Sequence, residues 1–524
     1  MGVLLDECAD RGTGTTVHLD RPFDLAPDSG THWTVPQLAE LVRESAGRLA
    51  AAGVRAGDRV AIVKENHWDY DLLACAAVRL GAVPAQLSAH LSRDALATLL
   101  ARLSPALLVT TAGVLERARR QDTDPATAAT TLVLDADGVP GTLGPADVRG
   151  HRAPAPVRRD DDAPLVINHT SGTTGVPKLV AHSTRTIIGK LARFETVRYP
   201  RIGVRRTDTL LNANSFAHGR TFCWTASTLC LAPAHIVIAT TRDPDRADPL
   251  LRAHPPTVVE ALPTTYVRFR PLTERLDNAF RDVRLFVSTY DAMHPPTIRA
   301  YLAASRRRGP LWMQGWGQSE TGPLTFRFHT RGADGGLGGP GVRNLGRPIP
   351  VKTRLRVVDP GTLRPVPRGR PGLVLARTGA RALTYLGEET RWAAKQVGDW
   401  WNTGDIGVHR RDGSVELLDR EVDHTPGLSC LSTEDLLEER LPRALECIVL
   451  TGTGGPPLPV VVTPDGHLGE QEWRSAARQL PPLAAPLALT WDEVPRTDTG
   501  KVRRAALLHQ LTGTTSTSGC GRWT

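Results

Sequence analysis

A chain of 524 residues, 40% apolar and 23% charged, is too long for one core and too apolar to stay disordered, so several packed units are expected. No run approaches the roughly 18 apolar residues of a membrane-spanning helix, and Met1–Asp10 lacks the basic start of a secretory leader. The net charge of +9 is spread along the chain rather than interleaved with aromatics, which points away from nucleic acid and toward solubility and anionic ligands.

Seven cysteines lie far apart without a Cys-x-x-Cys pair, as expected for reduced thiols without a zinc site in a cytoplasmic protein. The basic charge is almost wholly arginine. Only six lysines occur, and two of them, Lys178 and Lys501, sit in the motifs below, where an ammonium rather than a guanidinium is wanted.

In chain order, Thr34 predicts the cap of a helix over Val35–Ala52, with Leu38, Leu41, Val42, Ala46 and Leu49 on one face. Strands are expected at Arg59–Val63, Ala82–Gln86 and Ala106–Thr110, with helices at Asp69–Leu80 and Ser92–Leu103 between them. That alternation predicts a mostly parallel, helix-covered sheet. From Asp135 to Asp162 the composition turns to Gly, Pro, Arg and Asp, a surface connection.

The connection leads into His169-Thr170-Ser171-Gly172-Thr173-Thr174-Gly175-Val176-Pro177-Lys178, flanked by the strand-like runs Leu165–Ile167 and Leu179–Ala181. Two glycines allow a close backbone approach. Four hydroxyls and the backbone N–H groups supply donors, and Lys178 ends the row with a compact positive charge. Such a row suits a polyphosphate. The spacing is not that of the P-loop, where Gly-Lys-Ser/Thr opens a helix.

Farther on, Asn212–Arg220 is a polar loop before the apolar stretch Thr221–Leu231. His218 and Arg220 are candidates to steer an anion. Val258–Val267 and Leu285–Ser288 are expected as buried strands. In Gln314–Gly322, Glu320 is either a Mg²⁺ ligand or a solvated loop carboxylate. Gly332–Arg347 is a Gly-rich connection. Strands follow at Arg354–Val358, Gly372–Ala376 and Trp400–Asp405, then a hairpin turn at Arg411–Ser414. After Arg420 helices and short strands begin again. The tail after about residue 512 is expected to be disordered.

Thr170–Lys178 resembles the phosphate loop of the adenylate-forming superfamily, which includes acyl-CoA synthetases, peptide-synthetase adenylation domains and luciferases. Five further stretches match that family in order. They are Trp316-Gly317-Gln318-Ser319-Glu320, Gly346-Arg347-Pro348, Thr403-Gly404-Asp405, Arg420, and Pro495–Lys501. The resemblance implies an α/β fold. A large domain over 1–419, made of helix-covered sheets and a β-barrel-like subdomain, would carry a small mobile α+β lid over 420–524. It implies ATP and Mg²⁺ as cofactors. Thr170, Ser171, Gly172, Thr173, Thr174, Gly175 and Lys178 would hold the phosphates, and Glu320 the Mg²⁺. Trp316, Ser319 and Tyr290 would border the nucleotide. Tyr290 either stacks on the base or fills space that glycines leave in the family. Asp405, helped by Arg420, would bind the ribose. Lys501 would stabilise charge as an acid attacks the α-phosphate.

One departure bears on the acceptor. The family's hinge usually runs Gly-Arg-x-Asp, then Lys and Gly. Here it reads Asp419-Arg420-Glu421-Val422-Asp423-His424-Thr425-Pro426-Gly427, without the Gly, the Asp or the Lys. That loop lines the pantetheine tunnel in the family, so its change touches the transfer to coenzyme A and not the adenylation. Three readings stay open. The first is an acid–thiol ligase using coenzyme A or a carrier protein. The second passes the adenylate to an amine, in amide formation or nitrite-dependent diazotisation. The third only binds nucleotide, and the intact Lys178, Glu320, Asp405 and Lys501 speak against it. The partners implied are a small acid and a thiol or amine acceptor, with no nucleic acid and no membrane insertion. A homodimer stays open.

Overall fold

The helix expected after Thr34 runs Val35–Ala51. Its first turn is closed because Gln37 accepts the Thr34 backbone N–H at 2.8 Å, which satisfies an otherwise orphaned donor. The computed structural model describes residues 1–120, 128–170, 172, 176–332, 343–420, 429–452 and 455–513. Two compact units emerge. The first is Met1–Leu285 with Ser319–Gly322 and Gly379–Trp392, and the second is Phe286–Gln318, Pro323–Thr378 and Ala393–Thr524. Among the described residues no helix is long and apolar enough to cross a membrane.

In the first unit the alternating pattern becomes a seven-stranded sheet. Its order is Thr384–Tyr385, Leu179–Ser183, Pro164–His169, Val83–Ser88, Arg59–Lys64, Leu107–Thr110 and Thr130–Val133. The last five strands run parallel, and Leu179–Ser183 is antiparallel to both its neighbours. Helix Arg93–Leu103 buries Leu99, Leu100 and Leu103 against Val63, Leu87, Leu108, Ile167 and Leu179 of the sheet. A second sheet portion in this unit orders Val258–Ala261, Thr209–Ala213, His235–Ile238, Thr16–Leu19 and His32–Thr34.

The second unit holds strands Arg347–Pro348, Gly322–Thr330 (from Pro323), Leu311–Gln318 and Leu285–Ser288 (from Phe286) in that order. It also holds an antiparallel group of Thr353–Val358, Pro371–Thr378, Trp400–His409, Gln396–Val397 and Val415–Arg420. Near the C-terminus a three-stranded sheet, Glu446–Leu450, Leu458–Val462 and Leu487–Leu489, packs one face on helix Cys430–Arg440 and the other on helix Arg504–Thr512. The partly buried His294 meets helix Cys430–Arg440, with Nδ1 2.9 Å from Asp435 and Nε2 3.3 Å from Glu438. Burial works against its charge, but Glu438 and Asp435 outweigh it and lift the imidazole to about 9.

Two expectations change. The run Val258–Val267 is not one strand: the strand stops at Ala261, and Pro263 opens the helix Pro263–Phe269. Proline presets the helical φ and its missing N–H costs nothing in a first turn. Residues 314–322 are not merely a loop, since strands reach Gln318 and restart at Gly322. The C-terminal tail beyond Gly513 lies outside the described residues.

The core of the first unit contains a polar chain where an apolar one would serve. Trp68 Nε1 donates to Thr225 Oγ1 at 2.8 Å, and that hydroxyl donates to Asp71 Oδ2 at 2.8 Å. Gln86 Nε2 donates to Asp71 Oδ1 at 2.7 Å, and Asn168 Nδ2 donates to Gln86 Oε1 at 2.9 Å. Gln86 and Asn168 face each other across neighbouring strands. Burial pushes Asp71 up to about 7 against the donors Gln86 and Thr225. A carboxyl whose folded pKa lies above its unfolded value makes the folded state hold the proton longer, so stability falls as pH rises between the two values. Asp71→Asn should therefore lose its share of the stability change between about pH 4 and 7, read as urea midpoints of variant and parent across that range. Parallel profiles would mean that Asp71 does not titrate there.

Candidate functional site

Strands Pro164–His169 and Leu179–Ser183 pair antiparallel up to His169 and Leu179, so the loop between them starts and ends at one place. Thr170 N donates to Lys178 O at 3.0 Å, and Lys178 N donates to Thr170 Oγ1 at 3.0 Å. These bonds close a neck under the loop. Gly172 has φ +66°, which glycine adopts without strain. Ser171, Thr173, Thr174 and Gly175 lie outside the described residues.

The first unit gathers further expected groups around that neck. Strand Thr384–Tyr385 pairs with the far edge of Leu179–Ser183, with Tyr385 opposite Val180. This puts the Lys178 ammonium 5.2 Å from the centre of the Tyr385 ring. The Tyr385 hydroxyl donates to Glu320 Oε1. Glu320 is only 7% exposed, so the reading of it as a solvated loop carboxylate falls away. Burial and the adjacent Glu320 hold the Tyr385 phenol well above its ordinary range, which keeps it a hydrogen-bond donor. His182 Nε2 donates to Ser319 O at 2.8 Å and Ala382 N to Glu320 O at 2.8 Å, fixing the turn that carries Glu320.

His218 caps the helix Gly219–Leu231 and is buried. Its ring centre lies 4.7 Å from that of His169, whose Nδ1–H donates to Thr170 O at 2.8 Å. The helix must start at glycine, because a Cβ on Gly219 would sit 2.7 Å from Asn168 Oδ1. Arg220 does not stand ready for a substrate anion. Its guanidinium is forked onto Glu260 at 2.6 and 2.7 Å and onto Glu195 at 2.8 and 2.9 Å. Two carboxylates on one half-buried guanidinium leave no net positive charge there.

The second unit assembles a different group. Asp405 is buried and lies in register with Arg420 across an antiparallel pair. Gln318 Nε2 donates to Thr403 O at 2.5 Å and reaches Asp405 Oδ2 at 3.3 Å, while Trp401 Nε1 donates to Gln318 Oε1 at 3.2 Å. Trp316 leans on the apolar cluster of Val357, Val374 and Val415. Tyr290 takes φ +75°, a backbone state that glycine favours and a bulky residue rarely adopts. Gly346, in the Gly-Arg-Pro stretch, has φ +86° and would place a Cβ 2.1 Å from Phe326 O.

Lys501 stands at the end of a tight hairpin. Thr497 N donates to Lys501 O at 2.8 Å, Gly500 N to Thr497 O at 2.9 Å, and Lys501 N to Thr497 Oγ1 at 3.1 Å. Arg496, stacked 3.8 Å from the Trp491 ring centre and paired with Glu446, anchors that hairpin. The altered hinge stretch 421–428 is outside the described residues. Tyr385 and Gln318 are the functional neighbours that sequence reasoning missed. Gln318 lay inside a recognised motif, whereas no local pattern marks Tyr385, which reaches Glu320 from 65 residues away.

A family model for AMP-binding enzymes matches residues 6–386. The chain is 38% identical to a 3-amino-2-hydroxy-4-methoxybenzoate diazotase of Streptomyces cremeus, covering 99% of this chain and 96% of the relative. It is 25% identical to a 3-aminoavenalumate diazotase of a Streptomyces species, over 90% and 88% of the two chains. In fold it is similar to the anthranilate CoA ligase AuaEII in complex with anthranoyl-AMP, with TM-score 0.79 and 20% identity over 96% and 95% of the chains. The neck-closed donor loop, the buried Glu320 and the Thr-Gly-Asp strand thus stand in a chain that belongs to the AMP-binding enzyme family, the adenylate-forming enzymes.

Proposed function

We propose that the chain uses ATP to activate nitrite and passes it to an aromatic amine, a diazotisation. The observation that carries this reading is the 38% identity, over nearly the full length of both chains, with a diazotase whose name states an aminohydroxybenzoate substrate. The hinge segment 419–427 supports it, because Val422 and Pro426 stand where the family usually has polar groups, in a stretch that lines the pantetheine tunnel during thioester formation. Pro426 removes a backbone donor and fixes φ.

The residues present fit the nucleotide. The closed neck Thr170/Lys178 and the positive φ of Gly172 suit a phosphate cradle. A buried carboxylate held on one oxygen by Tyr385 suits a hard cation such as Mg²⁺. Asp405, oriented by Gln318, suits a pair of ribose hydroxyls. In this reading a nitrite oxygen attacks the α-phosphorus and the bond to pyrophosphate breaks. Lys178 and Lys501 offset the charge that develops on the phosphoryl oxygens. The amine nitrogen then bonds to the activated nitrogen as its nitrogen–oxygen bond to AMP breaks and one amine proton leaves; the second amine proton moves to the nitroso oxygen, and cleavage of that nitrogen–oxygen bond with uptake of a proton releases water and leaves the diazonium. The segment from 420 onward serves as the lid that presents Lys501.

The alternative is an acid–thiol ligase with coenzyme A or a carrier thiol as acceptor. One assay separates the two. Purified protein receives ATP, Mg²⁺ and either nitrite with 3-aminobenzoates or an aromatic acid with coenzyme A, and products are followed by mass spectrometry. AMP release over many turnovers that needs both nitrite and amine is expected, with a diazonium product trapped by azo coupling. Rapid, stoichiometric acyl-CoA formation without nitrite would overturn the amine reading.

Lys501→Ala should lower ATP–pyrophosphate exchange by about 10²–10³ with the fold kept, since the backbone bonds that close the hairpin at Lys501 survive the substitution. Near-normal exchange would remove Lys501 from the first step. Asp405→Ala should weaken ATP far more than the acid or amine, because each charge-assisted hydrogen bond to a ribose hydroxyl contributes about 1.5–3 kcal/mol. Separate titrations read this, and an equal loss for every ligand would make Asp405 a structural residue.

A further inference from the structure

Four of the chain's 16 histidines meet on one flank of the first unit, on elements that none of the expected site residues occupies. His18 and His32 are direct partners across the antiparallel strands Thr16–Leu19 and His32–Thr34. Their Nδ1 atoms lie 3.3 Å apart. His235, on the parallel neighbour strand His235–Ile238, pairs with Thr16, and its ring centre is 5.6 Å from that of His18. His254, just past helix Pro244–Ala253, stacks on His18 with ring centres 3.6 Å apart and planes 22° apart.

The hydrogen bonds admit the tautomer of His18 that ligation through Nδ1 needs. Thr16 Oγ1 lies 2.7 Å from His235 Nδ1 and 3.2 Å from His18 Nε2. A hydroxyl has one proton to give, and when Thr16 donates it to His235 Nδ1 it accepts from His18 Nε2–H. That leaves the His18 Nδ1 lone pair directed at His32. Holding one ring nitrogen in a hydrogen bond is also how proteins orient an imidazole that ligates through the other.

Two nitrogens that each sit about 2.0–2.1 Å from one tetrahedral ion are separated by a little over 3 Å, the spacing seen here. The structure assigns to His18 and His32 a two-imidazole seat for a late first-row divalent cation, with zinc as the test ion. Among the described residues no set of three or more His, Cys, Asp or Glu is disposed to hold an ion, so the seat is a bidentate chelate whose other positions are left to water. His32 is exposed and needs only to move its proton to Nε2 and turn its ring. The bound ion would clip the edge strand His32–Thr34 onto Thr16–Leu19.

The test uses the full-length, tag-free protein stripped with chelator and titrated with ZnCl₂ by calorimetry at neutral pH, with thermal unfolding in parallel. One equivalent of zinc should bind and raise the melting temperature, as expected of an ion that favours the folded state. His18→Gln and His32→Gln should each abolish that binding. Thr16→Val, which keeps both imidazoles but removes the hydroxyl that orients His18, should weaken it about 10–100-fold. All three variants should retain adenylation activity, which reports that they fold. Absence of binding to the parent protein would reduce the pair to a hydrogen bond, and undiminished binding to both histidine variants would place the ion elsewhere. Either result overturns the assignment.

Discussion

The charges of the first unit are positioned by one reversal of chain direction. Strand Leu179–Ser183 runs against the parallel strands beside it. A parallel strand would have required a crossover of a dozen or more residues, whereas an antiparallel one can follow after a short loop. The donor-rich loop is therefore short, with its two ends hydrogen-bonded to each other. Because strand Thr384–Tyr385 adds to the outer edge of the same strand, Lys178, Tyr385 and Glu320 are all placed relative to a single backbone segment. A cation and a carboxylate that would collapse onto each other in a flexible loop are held apart by a phenol that touches both.

The use of lysine and arginine follows from this economy. Arg220 is engaged as a planar fork by Glu260 and Glu195, a geometry that an ammonium cannot reproduce. Lys64 is the exception among the lysines that have a visible purpose, since its buried ammonium lies 2.6 Å from Asp69 and 2.7 Å from Asp24 and serves the core. Lys178 and Lys501 lie in the motifs read from the sequence, whereas Lys64 is a structural lysine of the core. Sequence position alone does not separate the two uses.

Much of the architecture was legible where a local pattern carries the physics. The Thr34 cap, the strand–helix alternation up to Thr110 and the loop flanked by two apolar runs all reappear within a residue or two. The misreadings came from places where local and distant evidence diverge. Val258–Val267 is apolar enough for a strand throughout, and only Pro263 signals the change to helix. Glu320 looks solvated in a stretch of Gly, Ser and Thr, yet Tyr385 and the carbonyl contacts of the turn bury it. Arg220 looks available because Glu195 and Glu260 lie 25 and 40 residues away in sequence. Pairings at such separations are set by topology and leave no periodic trace.

The polar chain through the first unit's core has a meaning for assembly. Gln86 and Asn168 oppose each other on adjacent parallel strands, and Gln86 also binds the Asp71 carboxyl on a covering helix. Side chains alternate faces along a strand, so a slip of one residue between these strands would turn one amide to the opposite face and leave the other buried without it. Valine and isoleucine ladders would tolerate the same slip with little complaint. Alignment errors in this sheet are therefore costly before any ligand is involved, and the strand that ends in His169 can deliver its loop in only one frame.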